Sequence, residues 1–140
     1  ALKRLDYIKS IFAEDALIIV GTVLKKQTVA ERQITINQSY VRYTRQTKEQ
    51  YIKRLGSTFA SNEFINLRFT DNVIRKSADK GEIYGVQIRQ DYFSSNYGDS
   101  GYLFLMVDLN NPDKPIIHVR AWQPEKDPKF GLIDLPSFTF

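Results

Sequence analysis

His118, Asp91, Asp108, Arg89 and Arg120 are the residues whose types and spacing could do chemistry. A histidine beside a carboxylate can act as a general acid–base pair, and a neighbouring arginine can clamp a carboxylate or phosphate. Asp91 and Asp108 both fall on runs that can neighbour His118 in a sheet. A His118–Asp91 pair is therefore the sharpest catalytic candidate. The bland alternative weighs more: His118 is the only histidine, and it reads best as a surface or interface residue bonded to a neighbour. Arg89, Asp91 and Arg120 more often form cross-strand ion pairs on a solvated face. One histidine without a spaced Asp/Glu set gives no metal-ligand pattern. Gly-x-Ser-x-Gly does not occur, and the absence of cysteine excludes thiolate chemistry. Asn96 to Gly101 reads as a turn rather than a Ca²⁺ loop. No cofactor is expected.

These residues must be positioned by the stretch from Ser100 to Pro124, which reads as two long strands joined by an Asn/Pro/Asp-rich turn. Leu103, Leu105, Val107 and Leu109 alternate with Tyr102, Phe104, Met106 and Asp108. In the second strand Ile117, Val119 and Ala121 alternate with Ile116, His118, Arg120 and Trp122. One face is aliphatic, and the other carries aromatics, the histidine and an arginine.

The rest of the chain supplies the frame. Leu2, Leu5, Ile8, Ile11 and Phe12 recur at helical steps, so Ala1 to Phe12 is an amphipathic helix. Ala16 to Leu24 is rich in β-branched residues, with Gly21 at a candidate bulge. Lys25 to Arg45 is weakly patterned, with a strand around Ser39 to Thr44 after a polar loop. Thr47-Lys48-Glu49-Gln50 fits a capping box opening a helix that buries Tyr51, Ile52, Leu55 and Phe59. Gly56 in that helix points to a close helix contact or to nothing special. Phe64 to Arg75 and Glu82 to Phe93 alternate as strands, with a hairpin turn at Ser77 to Gly81. The tail after Pro124, with Leu132, Ile133, Leu135, Phe138 and Phe140, is too apolar to hang free and should dock on the body. The order predicts one α+β domain over 1–140: a bent antiparallel sheet with helices on one face.

Composition narrows the function classes. The chain has 140 residues, 42% of them hydrophobic, which suits a single globular core rather than disorder. A net charge of +4, with both signs interspersed, argues against a nucleic-acid footprint even with Lys25, Lys26, Arg42 and Arg45 in one region. No apolar run is long enough to span a membrane as a helix. The chain opens at Ala1 directly in helical pattern, as expected of a piece of a longer protein.

The entry Phe12-Ala13-Glu14-Asp15-Ala16 between a helix and a strand resembles that of the nuclear-transport-factor-2-like superfamily. So do Tyr51-Ile52-Lys53-Arg54-Leu55, Asn66-Leu67-Arg68-Phe69, Tyr84-Gly85-Val86, Gly101-Tyr102-Leu103-Phe104-Leu105 and His118-Val119-Arg120-Ala121-Trp122-Gln123-Pro124. The stretch from Lys53 to Phe140 looks closer still to uncharacterised, exported bacterial members. The resemblance implies a cystatin-like cone with the helices on the concave face of a strongly bent antiparallel sheet. It also implies sheet-to-sheet homodimers and an exported or periplasmic location. On activity it is nearly silent, because the superfamily holds enzymes, adaptors and oligomerisation modules alike. Its isomerases, dehydratases and cyclases act through polar groups inside the cone, and none of their motifs maps onto this chain residue by residue.

Energetics chooses between the two faces. Exposing Leu103, Leu105, Val107, Ile117, Val119, Val86, Ile88, Leu67 and Phe69 would forfeit well over ~10 kcal/mol, at ~2 kcal/mol each. Burying Arg68, Arg89, Asp91, His118 and Arg120 unpaired would cost several kcal/mol per charge. The aliphatic face should therefore meet the helices and line an apolar cavity suited to a small apolar ligand. Arg68, Arg89, Asp91, Tyr102, Phe104, Met106, His118, Arg120 and Trp122 should form an outer binding or interface surface. The expected function is a non-catalytic ligand-binding or protein-interaction module. The alternative is a small-molecule isomerase, dehydratase or hydrolase using His118 and Asp91.

Overall fold

The computed structural model describes residues 2–29, 35–61, 65–95, 98–126 and 131–138. Along the chain run α1 (Leu2–Ile11), β1 (Phe12–Val29), β2 (Thr35–Gln46), α2 (Lys48–Ser61), β3 (Ile65–Lys76), β4 (Ile83–Ser94), β5 (Gly98–Asp108) and β6 (Ile116–Gln123). A single 3₁₀ turn, Leu135–Ser137, closes the described chain. The six strands form one sheet in the order β2-β1-β6-β5-β4-β3. This is the expected α+β class, with one correction: β1 and β6 run parallel, so the sheet is mixed rather than antiparallel throughout.

Local chemistry sets several boundaries. The Gln50 amide donates to Thr47 Oγ1 at 3.2 Å, and the Thr47 amide donates to Gln50 Oε1 at 3.0 Å, so α2 opens on the capping box its sequence spells. A Cβ on Gly56 would sit 3.3 Å from Leu5 Cδ2, so this glycine marks the contact of α2 with α1. The β3–β4 turn closes through the Ser77 amide on the Ile83 carbonyl, with Gly81 at φ 74. Inside β3 the register to β4 shifts between Thr70 and Val73, where Asp71 takes a left-handed φ of 54.

Two expectations for the first third of the chain need correction. No long polar loop follows Leu24: β1 continues to Val29 and pairs with β2 from Ile18↔Gln46 through Val29↔Thr35. Backbone pairing overrides the weak side-chain pattern there. Gly21 is not at a bulge either, because that register is unbroken. A Cβ at Gly21 would instead lie 2.9 Å from the Trp122 carbonyl oxygen and 3.1 Å from Pro124 Cδ. The glycine serves close approach.

Each face of the sheet has its own core. On one side α1 and α2 lay Ile8, Ile11, Tyr51, Ile52 and Leu55 against Phe12, Ala16, Ile18, Leu105, Val107 and Ile117. On the other, Ile133, Leu135 and Phe138 of the C-terminal segment cover Ile83, Phe104, Met106, Val119 and Ala121. The apolar tail docks on the body as its composition requires. Phe140 lies outside the described residues.

Candidate functional site: a cleft beneath the second helix

The site is made by a bulge. Met106 pairs with Val119 and Val107 pairs with Ile117, so His118 is an extra residue in β6. One inserted residue reverses which way every later side chain points. Ile117 therefore joins the helix-side core, whereas Val119 and Ala121 join the tail-side core. Arg120 and Trp122, paired with Leu105 and Leu103, turn toward α2. This corrects the expected outer-face placement of Arg120 and Trp122, and the helix-side placement of Val119.

Under α2, Arg120 and Trp122 line a cleft of about 490 Å³ together with Tyr51, Arg54, Gln90 and Asp99. The Arg120 guanidinium carbon lies 5.0 Å from the centre of the Tyr51 ring. Burial pushes the Arg120 pKa down; Tyr51 opposes that shift, and the like charge of Arg54 adds to it. Among the described residues Arg120 has no carboxylate within ion-pair distance and no side-chain hydrogen bond. Gln90 is 8% exposed, and its side-chain amide likewise has no hydrogen-bond partner among the described residues. Two polar groups thus line the cleft with no hydrogen-bond partner among the described residues. Larger hollows of about 700 and 620 Å³ border the C-terminal segment, but Arg75 and Gln123 on their walls already hold that segment.

The histidine lies on the opposite face. His118 Nε2 meets Asp108 Oδ2 at 3.0 Å, and the Asn110 amide donates to Asp108 Oδ1 at 3.0 Å. The hydrogen bond from His118 holds the Asp108 carboxyl below its ordinary range, and the Asn110 amide adds to it. His118 borders an open hollow of about 450 Å³ that also touches Asp15, Lys80 and Phe138. The proposed His118–Asp91 pair does not form. Asp91 lies further along the sheet and accepts from Ser100 Oγ at 2.7 Å.

The remaining candidates divide by cover. Arg89 donates to Tyr102 Oη at 3.3 Å and stacks on that ring at 5.5 Å. Arg68 is exposed on β3 and pairs in register with Asp91. These four share the face opposite α2, as the alternation predicts. Phe104 and Met106 share it too, but each is only 2% exposed beneath the C-terminal segment. They are core residues, which corrects their assignment to an open interface. Leu67 and Phe69 do sit on the helix side, yet stay 45% and 49% exposed because α2 lies over β1 and β6 and does not cover the β3 edge. The Lys25 and Lys26 side chains lie outside the described residues.

Sequence reasoning missed Arg54, Gln90 and Asp99. The alternation Tyr84, Val86, Ile88 continues in register to Gln90, opposite Gly101, and a glutamine closing an inward-facing row was the available signal. No helix among the described residues is long and apolar enough to cross a membrane. No protein-family model matches the chain, and no curated protein matches it.

Proposed function

We propose that this domain is a non-catalytic ligand-binding module that takes a small molecule into the cleft between α2 and the sheet, within a nuclear-transport-factor-2-like cone. The observation that carries this reading is the pair of unsatisfied groups, Arg120 and Gln90, beneath α2 in a cleft of about 490 Å³. Pockets of that size, largely apolar with a few convergent polar groups, are the usual form of small-molecule sites. The position of the one histidine supports binding over catalysis: His118 and Asp108 lie on the opposite face and cannot pass a proton to a molecule held there.

Trp122 is the only tryptophan and lines the cleft, so it reports occupancy directly. The neutral fluorophore N-phenyl-1-naphthylamine should bind saturably with energy transfer from Trp122. Thr58→Phe, which fills the cleft wall, should weaken that binding by roughly tenfold. Fluorophore binding that Thr58→Phe leaves untouched removes this reading.

A second reading, self-association, is favoured by the free edge at β3. Phe69 is 49% exposed and Ile74 66% exposed on the outermost strand. Exposed apolar edge strands are templates for pairing with another chain. Under this reading a Phe69→Asp/Ile74→Asp double variant sediments as a monomer where the parent sediments as a dimer. A parent that is already monomeric at high concentration rejects it.

A further inference from the structure

We infer that the ligand of this cleft is a small monocarboxylate with an apolar tail, its carboxylate lying against Arg120 and the Gln90 amide. The inference rests on the binding reading above and names its ligand class. Three observations converge on it.

The first is the state of Arg120. The side chain is turned inward by the bulge at His118, stacked on Tyr51 at 5.0 Å, and left without an anion or an acceptor among the described residues. A ring face balances part of its charge but accepts none of its N–H donors in the way an oxygen does. The planar fork of a guanidinium matches the two oxygens of a carboxylate.

The second is Gln90. The residue is 8% exposed overall, and its amide, without a partner among the described residues, lies on the wall of the same cleft. An amide N–H there can add a donor to a carboxylate oxygen that Arg120 already holds.

The third is charge and surface. Among the described lining residues Arg54 and Arg120 stand with one carboxylate, Asp99, so these charged groups sum to +1. Asp99 Oδ1 accepts from the Ser100 amide at 2.8 Å. A monoanion neutralises that wall; a phosphate dianion would overshoot it. Val20, Leu55 and Trp122 supply the apolar remainder, which suits a hydrocarbon or aromatic tail rather than a free inorganic ion.

The test compares phenylacetate with its neutral isostere phenylacetamide, read by Trp122 fluorescence and by calorimetry on the intact domain. Phenylacetate should bind at least tenfold tighter than the amide. Arg120→Met should reduce the acid to the level of the amide, and Gln90→Leu should weaken it several-fold. Inorganic phosphate should neither bind nor compete. Equal affinity for acid and amide overturns the inference, as does phenylacetate binding that survives Arg120→Met, or phosphate that displaces it. The acid-to-amide ratio in the parent protein needs no variant, so a poorly folding Arg120→Met leaves the test intact. If N-phenyl-1-naphthylamine binds while acid and amide do not differ, the carboxylate assignment fails and the binding reading stands. If none of the probes binds, both fail.

Discussion

His118 meets Asp108 at 3.0 Å across the β5–β6 hairpin, at the one point where β6 carries an extra residue. The bulge that turns Arg120 and Trp122 under α2 also swings the imidazole over the carboxylate at the end of β5. One irregularity therefore sets both the cleft and the His118–Asp108 hydrogen bond on the far face.

That pair makes a pH prediction. Asp108 is held below the ordinary carboxylate value of 3.8 by His118 first and the Asn110 amide second. A depressed folded-state pKa gives stability that is present above the unfolded value and lost as pH falls through the lower folded value. Asp108→Asn should cost ~0.5–1 kcal/mol in urea denaturation near neutral pH, since the pair is partly solvated. The difference from the parent should vanish in strong acid, below both carboxyl values. A loss that stays constant down to about pH 2 would assign the effect to packing rather than charge.

Gln123 is the second lever. It is 2% exposed, accepts the Ile133 amide at 2.8 Å, and donates to Tyr43 Oη at 2.9 Å and the Gly131 carbonyl at 3.1 Å. One buried amide thus ties the C-terminal segment to both β6 and β2. Gln123→Leu removes this partner from the Ile133 amide and the Gly131 carbonyl and should cost ~1–3 kcal/mol. It should also raise amide exchange at Ile133 and expose the segment to limited proteolysis, whereas an unchanged exchange rate at Ile133 would show that Leu135 and Phe138 alone hold it.

Lys48 offers a contrast within a single ion pair. Its ammonium is buried and donates both to the Phe12 carbonyl and to Glu14 Oε1, each at 2.9 Å, while the Glu14 side chain is 95% exposed. Lys48→Met leaves the Phe12 carbonyl without its donor at the α1–β1 junction and should cost ~1–3 kcal/mol. Glu14→Gln should leave the melting temperature nearly unchanged, because the glutamine oxygen can still accept from the Lys48 ammonium and the Glu14 side chain itself is solvated. Equal losses from the two variants would mean that the salt bridge, not the carbonyl bond, carries the junction.

How far the sequence could be read follows from which signals are local. The α2 cap, the Ser77–Gly81 turn and the alternation of β4 and β5 are each written within a few residues, and the structure contains them. The direction of β6 is not local. Ile116 to Trp122 carries apolar groups at both parities, and both of its faces are covered, one by α2 and one by the C-terminal segment. A strand buried on both sides gives no clean alternation from which to read register. The bulge at His118 was therefore invisible, and Arg120 was placed on the wrong face. The energetic rule that a charge keeps to the outer face fails at the same residue, because the Tyr51 ring faces the guanidinium under α2.

Gly101 allows the cleft wall itself to be tested. A Cβ there would fall 2.6 Å from both Trp122 Cζ2 and the Gln123 carbonyl oxygen, so the indole lies directly over this glycine. Nothing larger than hydrogen fits unless both the Trp122 indole and the β6 backbone at Gln123 move. Gly101→Ala should therefore cost ~1–3 kcal/mol, the range for overpacking a well-filled site. Because Trp122 is the only tryptophan, its displacement also registers as a shift in emission maximum. The same variant should weaken N-phenyl-1-naphthylamine binding without altering the His118–Asp108 acid dependence, since that pair lies on the other face of the sheet. Parent-like emission and stability in Gly101→Ala would show that the indole does not rest on the glycine, and would move the inner wall of the cleft away from Trp122.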